Sequence, residues 1–149
     1  LAAGPAAAVR IPAEAQRVPL QGKVIVPGLI NAHGHASSVA NLATYAAYGV
    51  TTVYSLGDET AEVFAARDAQ QRTVPKQARV FVAGPVLNPS SPDDARTQVA
   101  AVADRRVDIV KIRVDDNLGT SPKMKPEVYR AVIEAAHARG LRVAVHLYY

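Results

Sequence analysis

Two spacings of hydrophobic residues alternate along this chain. Runs rich in β-branched residues at 50–54, 79–84, 107–114 and 141–146 are separated by stretches in which apolar residues recur every three or four positions. The first pattern predicts strands and the second predicts amphipathic helices. An earlier run at 24–26 is broken by Pro27-Gly28 and resumes at Leu29-Ile30, so a strand, a break and a second short strand are expected there. That second strand leads directly into Asn31-Ala32-His33-Gly34-His35.

The helices carry start and stop signals. Ser37 or Ser38 can cap a helix through Val39, Leu42, Ala43 and Ala46, with Gly49 placed to end it. Residues 59 to about 72 have helical spacing, with Ala61, Phe64, Ala65 and Ala69 as the expected inward stripe. Ser91 followed by Pro92 suits a cap and first position for a helix carrying Ala95, Val99 and Val102. Pro126 opens a helix with Val128, Val132, Ala135 and Ala136 on one face, closed by Gly140. Residues 1–23 are rich in Ala and Pro. Pro12 and Pro19 exclude a central strand there and leave edge strands or an extended lead-in.

Strand and helix in repeated alternation, with crossovers of this length, imply parallel strands covered by helices. A doubly wound open sheet and a (β/α)8 barrel both satisfy the pattern. Polar residues favour the barrel, because His33 and His35, Lys111 and His146 all fall at the C-terminal ends of strands, where barrel active sites lie. A full barrel takes about 250 residues. The expected fold is therefore α/β: the first five β/α units of a (β/α)8 barrel over residues 24–149, truncated, with residues 1–23 as a lead-in. The chain starts without Met and stops directly after a strand, which suggests part of a longer protein.

Composition narrows the function classes. The 149 residues contain no cysteine, which excludes disulfides, thiolate ligands and a cysteine nucleophile. The net charge of +4 comes from scattered basic residues with no aromatic interleaving, so a nucleic-acid partner is not expected. No apolar run approaches the roughly 20 residues of a membrane span. A small-molecule substrate and a homo-oligomeric state are the expected partners. Nothing in the sequence names a compartment.

Parity along the strands selects the chemistry. Residues i and i+2 of a strand share a face, so His33 and His35 can present two imidazoles to one ion. Gly34 between them leaves room for a close backbone approach. In the fourth strand Ile109, Lys111 and Arg113 share one face, while the apolar Val110, Ile112 and Val114 suit the helix side. Lys111 then points inward, where a bare ammonium is costly. The competing reading has it reach solvent or pair with Asp115 or Asp116. In the fifth strand Ala144, His146 and Tyr148 face inward. His137 lies in a helix away from that face, and Asp58 and Arg113 are either substrate contacts or solvated charges.

The segment Pro27-Gly28-Leu29-Ile30-Asn31-Ala32-His33-Gly34-His35 resembles the first-strand signature of the amidohydrolase superfamily. Gly49-Val50-Thr51-Thr52-Val53, Val110-Lys111-Ile112 and Val143-Ala144-Val145-His146 resemble that family's second, fourth and fifth strands. The resemblance implies a distorted barrel with a small flanking β-sandwich, of which residues 1–23 would be a remnant. It implies a metal-dependent hydrolase of amide or peptide C–N bonds that uses hydroxide shared by two divalent ions, zinc being the expected metal. His33 and His35 would hold one ion, Lys111 as a carbamate would bridge both, and His146 would hold the second. Lys at the fourth strand points to the peptidase or prolidase-like branch, acting on dipeptides or acylated amino acids. Tyr148 resembles a tyrosine some of these enzymes set near the substrate carboxylate, and Arg113 is a second candidate contact. The family's sixth-strand histidine and its general-base aspartate would lie beyond Tyr149, so the chain alone is expected to be inactive. The alternatives are a mononuclear amidohydrolase or deaminase of the imidazolonepropionase-like kind, and a non-catalytic half-barrel that self-associates.

Overall fold

The computed structural model describes residues 4–5, 7–71 and 76–148. Among the described residues five strands alternate with four helices: β1 Leu29–Gly34, α1 Val39–Ala47, β2 Val50–Ser55, α2 Ala61–Ala69, β3 Arg79–Val82, α3 Pro92–Asp104, β4 Ile109–Arg113, α4 Pro126–His137 and β5 Arg142–His146. All paired strands are parallel, in the orders β1-β2-β3 and β4-β5. The alternation expected from the sequence is present, in a mixed α/β chain.

The sheet divides between β3 and β4 because side chains take the place of a ladder. The Gln70 amide donates to the Val80 carbonyl and accepts from the Val80 N–H, at 3.0 and 2.9 Å. The Asp108 carboxylate accepts from the Val82 N–H at 2.9 Å, while the Asp108 N–H donates to the Val82 carbonyl. These contacts satisfy one edge of β3, which would otherwise leave buried backbone groups unpaired. Strand β4 consequently begins at Ile109, two residues later than expected. A single parallel bridge, Leu87 to Ile112, continues the order toward β4.

Two packed clusters hold the layers together. Val110 and Ile112, both fully buried, face α3 and α4 through Val99, Val102, Val128, Val132 and Ala136. The second cluster joins Leu42 of α1 and Val63 of α2 to Val80 and Val82 of β3. Each such Val, Leu or Ile contributes about 1.5–3 kcal/mol by leaving water. The expected cap residues act as such: Ser38 accepts from the Asn41 N–H and Ser91 from the Asp94 N–H. Glu62 of α2 accepts the Val39 N–H at 2.8 Å, so α2 supplies a cap for α1.

Two expectations are corrected. Residues 24–26 form no strand; their side chains are exposed, because no neighbouring segment pairs with them. No strand forms among the described residues of 1–28, which run as an exposed, turn-containing lead-in. The inward face of α2 is Val63 with Phe64 and Ala66, whereas Ala61, Ala65 and Ala69 are exposed. Val63 and Phe64 offer more apolar area than three alanines, and the larger side chains decide the rotation of the helix. The expected end of that helix at Arg72 lies outside the described residues.

Candidate metal centre

The opening motif is built by β1 and held by β2. The Gly34 carbonyl accepts the Leu56 N–H, and the buried Ser55 hydroxyl accepts the Ala36 N–H at 2.9 Å. These bonds tether the backbone on either side of His35. Gly34 is required by its surroundings: a Cβ there would stand 2.8 Å from Val53 Cγ1 and 3.1 Å from the Tyr45 hydroxyl. His33 is the penultimate residue of β1 and His35 follows its end, with ring centroids 5.9 Å apart.

Lys111 of β4 faces these imidazoles. Its residue is 3% exposed, and Nζ stands 3.2 Å from His33 Nε2. No acidic side chain among the described residues pairs with it. Burial, then the Arg113 guanidinium, lower the Lys111 pKa and favour the free amine. Burial also lowers the pKa of His33, followed by the charges of Lys111, His35 and His146. His146, at the end of β5, brings its ring to 6.5 Å from that of His33, edge to face. His33 is thus the common neighbour of His35, Lys111 and His146, although Lys111 is the central residue of β4 and not at its end as expected.

Arg113 and Tyr148 lie beside this cluster. Arg113 Nε donates to Asp115 Oδ1 at 3.1 Å, and its Nη2 is 3.3 Å from His146 Nε2. The Tyr148 ring packs edge-on against His146 at 4.7 Å and is mostly exposed. A cavity of about 450 Å³ adjoins Arg113 and is also lined by Val86, Asn88, Asp115, Lys123 and Lys125. Asp58 is exposed, with its N–H donating to Gly84, and His137 ends α4 on the exposed side.

Two buried carboxylates take roles that the sequence did not point to: Glu59, and Asp115, which was expected only as a possible partner of Lys111. Glu59 accepts from the Gly57 and Gly84 N–H groups at 2.9 and 2.7 Å and ties the ends of β2 and β3 together. Asp115 has a fully buried side chain. Its burial alone would raise its pKa, but bonds from the Asn117 N–H and Arg113, with the charges of Arg113 and His146, hold it below the usual carboxylate value. Parity was the signal available for Asp115, since it continues the 109, 111, 113 face past the end of β4.

The donor set fits a divalent ion only in part. Among the described residues no three His, Cys, Asp or Glu side chains gather closely enough to hold one. His33 Nε2 instead has Lys111 Nζ at 3.2 Å, whose ammonium would repel a cation and whose neutral or acylated form would not.

No protein-family model matches the chain, and no curated protein matches it by sequence. Solved structures do. A provisionally assigned prolidase from Bifidobacterium longum aligns with a TM-score of 0.82 and 30% identity over 95% of this chain and 40% of its own. A Xaa-Pro dipeptidase with methionine bound in its active site aligns at 0.65 and 25% identity, over 80% of this chain and 43% of that one. An amidohydrolase aligns at 0.78 and 19% identity, covering 95% and 48%, a likeness of fold. The chain belongs to the amidohydrolase superfamily. It spans less than half the length of each of these structures.

Proposed function

We propose that the chain forms the first five β/α units of a (β/α)8 barrel in a longer, binuclear metal-dependent hydrolase of amide or peptide C–N bonds. The observation that carries this reading is Lys111, buried and without an acidic partner among the described residues, 3.2 Å from His33 in a cluster completed by His35 and His146. A carbamate accounts for such a lysine. The Nζ lone pair attacks the carbon of CO2, a C–N bond forms, one C=O electron pair moves to oxygen, and the Nζ proton passes to solvent. The buried neutral amine becomes an anion with two oxygens, able to bridge two ions.

His33 and His35 would hold one zinc ion and His146 the second, with Lys111 between them. Ions held there supply Lewis acidity and a nucleophile at neutral pH. The remaining work falls to the chain. Tyr148 and Arg113 orient a substrate at the rim, and the cationic cavity lined by Arg113, Lys123 and Lys125 suits the carboxylate of a dipeptide or an acylated amino acid. A prolidase and a dipeptidase among the similar structures support that substrate class. A further histidine and the proton-carrying aspartate would come from outside these residues.

Zinc content of the full-length protein tests the proposal. Two ions per chain, falling on Lys111→Ala, are expected. One ion unaffected by that change would point to the mononuclear reading, and none would overturn metal hydrolysis altogether.

A further inference from the structure

Among the described residues, one buried side-chain oxygen or nitrogen has no hydrogen-bond partner: Oδ2 of Asp115. Its carboxylate partner Oδ1 is fully engaged, accepting from Arg113 Nε at 3.1 Å and from the Asn117 N–H at 2.7 Å. Oδ2 stands 3.7 Å from Nε2 of His146, just beyond hydrogen-bond length. The same nitrogen is approached by Arg113 Nη2 at 3.3 Å. These two neighbours make opposite demands. A guanidinium only donates, so it meets Nε2 as a lone pair and leaves the ring proton on Nδ1. An ionised carboxylate only accepts, so it requires the proton on Nε2 and leaves Nδ1 free.

We propose that Asp115 is the positioning residue for His146, accepting its Nε2–H and thereby presenting the Nδ1 lone pair as the metal-binding atom. The orphaned oxygen supports this outcome, because a proton on the Nε2 that stands 3.7 Å away would offer Oδ2 the donor it lacks. Arg113 then serves chiefly through Nε, fixing the carboxylate in place. The assignment rests on the metal reading above. It gives the outer partner that ligating histidines ordinarily have.

Asp115→Asn discriminates cleanly. Two donors, Arg113 Nε and the Asn117 N–H, already face Oδ1, so the amide oxygen of the variant turns toward them. Its NH2 group is left facing His146 and forces Nε2 to be an acceptor. The experiment uses the full-length protein, wild type and Asp115→Asn, with matched thermal melts as the check on folding and Asp115→Glu as the rescue variant. The first measurement is the 15N spectrum of His146 in metal-free protein, assigned by difference from His146→Gln. Nε2–H in wild type, shifting to Nδ1–H in Asp115→Asn and returning in Asp115→Glu, is expected. The second is Zn2+ affinity by chelator competition, expected to fall about 10- to 100-fold in Asp115→Asn. An unchanged tautomer in the variant overturns the proposal, as does a zinc affinity within twofold of wild type. Wild type that takes up no zinc overturns the metal reading instead, and the tautomer comparison on the same metal-free sample still decides the role of Asp115.

Discussion

Nζ of Lys111 lies 3.2 Å from Nε2 of His33, although 78 positions separate the two residues in sequence. A buried ammonium in that position is a liability for folding, because desolvation disfavours its charge and no carboxylate among the described residues offsets it. Its retention makes physical sense if the site uses the nitrogen. Lys111→Met is therefore expected to stabilise the metal-free full-length protein by about 1 kcal/mol, seen as a higher melting temperature. The same substitution should lower amide hydrolysis by about 100-fold or more, given the several kcal/mol a metal ion supplies. Calorimetry and a hydrolysis assay on one preparation check both signs together. A variant that is less stable and equally active would remove Lys111 from the site.

The histidine pair depends on the close approach of β1 to β2 at Gly34. In Gly34→Ala the new Cβ would meet Val53 Cγ1 at 2.8 Å, and Val53 is fully buried. Overpacking of this kind costs about 1–3 kcal/mol. The strain falls between His33 and His35, so metal uptake should weaken together with the melting temperature. Matched thermal melts and zinc titrations check this. Full zinc affinity in a destabilised variant would show that the strain relaxes away from the imidazoles.

Much of this arrangement could be read from the residues in order. Ser91 and Pro92 announce a helix start because cap chemistry is local, and Lys111 could be assigned to the inward face because strand parity is local too. What local patterns do not carry is the presence of a neighbour. Residues 24–26 have strand-forming side chains, yet nothing pairs with them, whereas Gln70 and Asp108 act on β3 from a helix end and a loop. Asp115 is the instructive case in the site. It was a possible partner for Lys111 by proximity in sequence, but its carboxylate turns to Arg113 and His146 instead.

Stability near the start of α3 should respond to acid with a defined sign. Asp94 accepts from the Ser90 N–H and hydroxyl and from Gln98 Nε2, while its own N–H is capped by Ser91. The Ser90 backbone bond, then the Gln98 bond, lower its pKa below that of a free aspartate. The unfolded chain therefore binds the proton more readily. The stabilisation is fully present above the ordinary value of about 3.9 and is lost as pH falls through the lowered folded value. Asp94→Asn is expected to be less stable than wild type at pH 6, with the difference vanishing in stronger acid. Urea unfolding at a series of pH values reads this directly, and a gap that widened toward low pH would reverse the sign.

The outer strands β1 and β5 carry the last prediction. Among the described residues β1 pairs only with β2 and β5 only with β4, so each leaves one edge open. Leu29 and Ile30 on β1 are 63% and 65% exposed, and Val145 on β5 and Leu147 just beyond it are also exposed. An open edge flanked by apolar side chains is a template for another chain. Residues 1–149 produced on their own should therefore self-associate, whereas in a longer chain that covers these edges the same surfaces should be protected. Sedimentation velocity at micromolar concentrations is expected to show species larger than a monomer. Ile30→Lys places a charge on the β1 edge and should shift that distribution toward monomer. A monomeric wild-type piece would show that the edges are already shielded within these residues, and an unchanged distribution in Ile30→Lys would move the association away from β1.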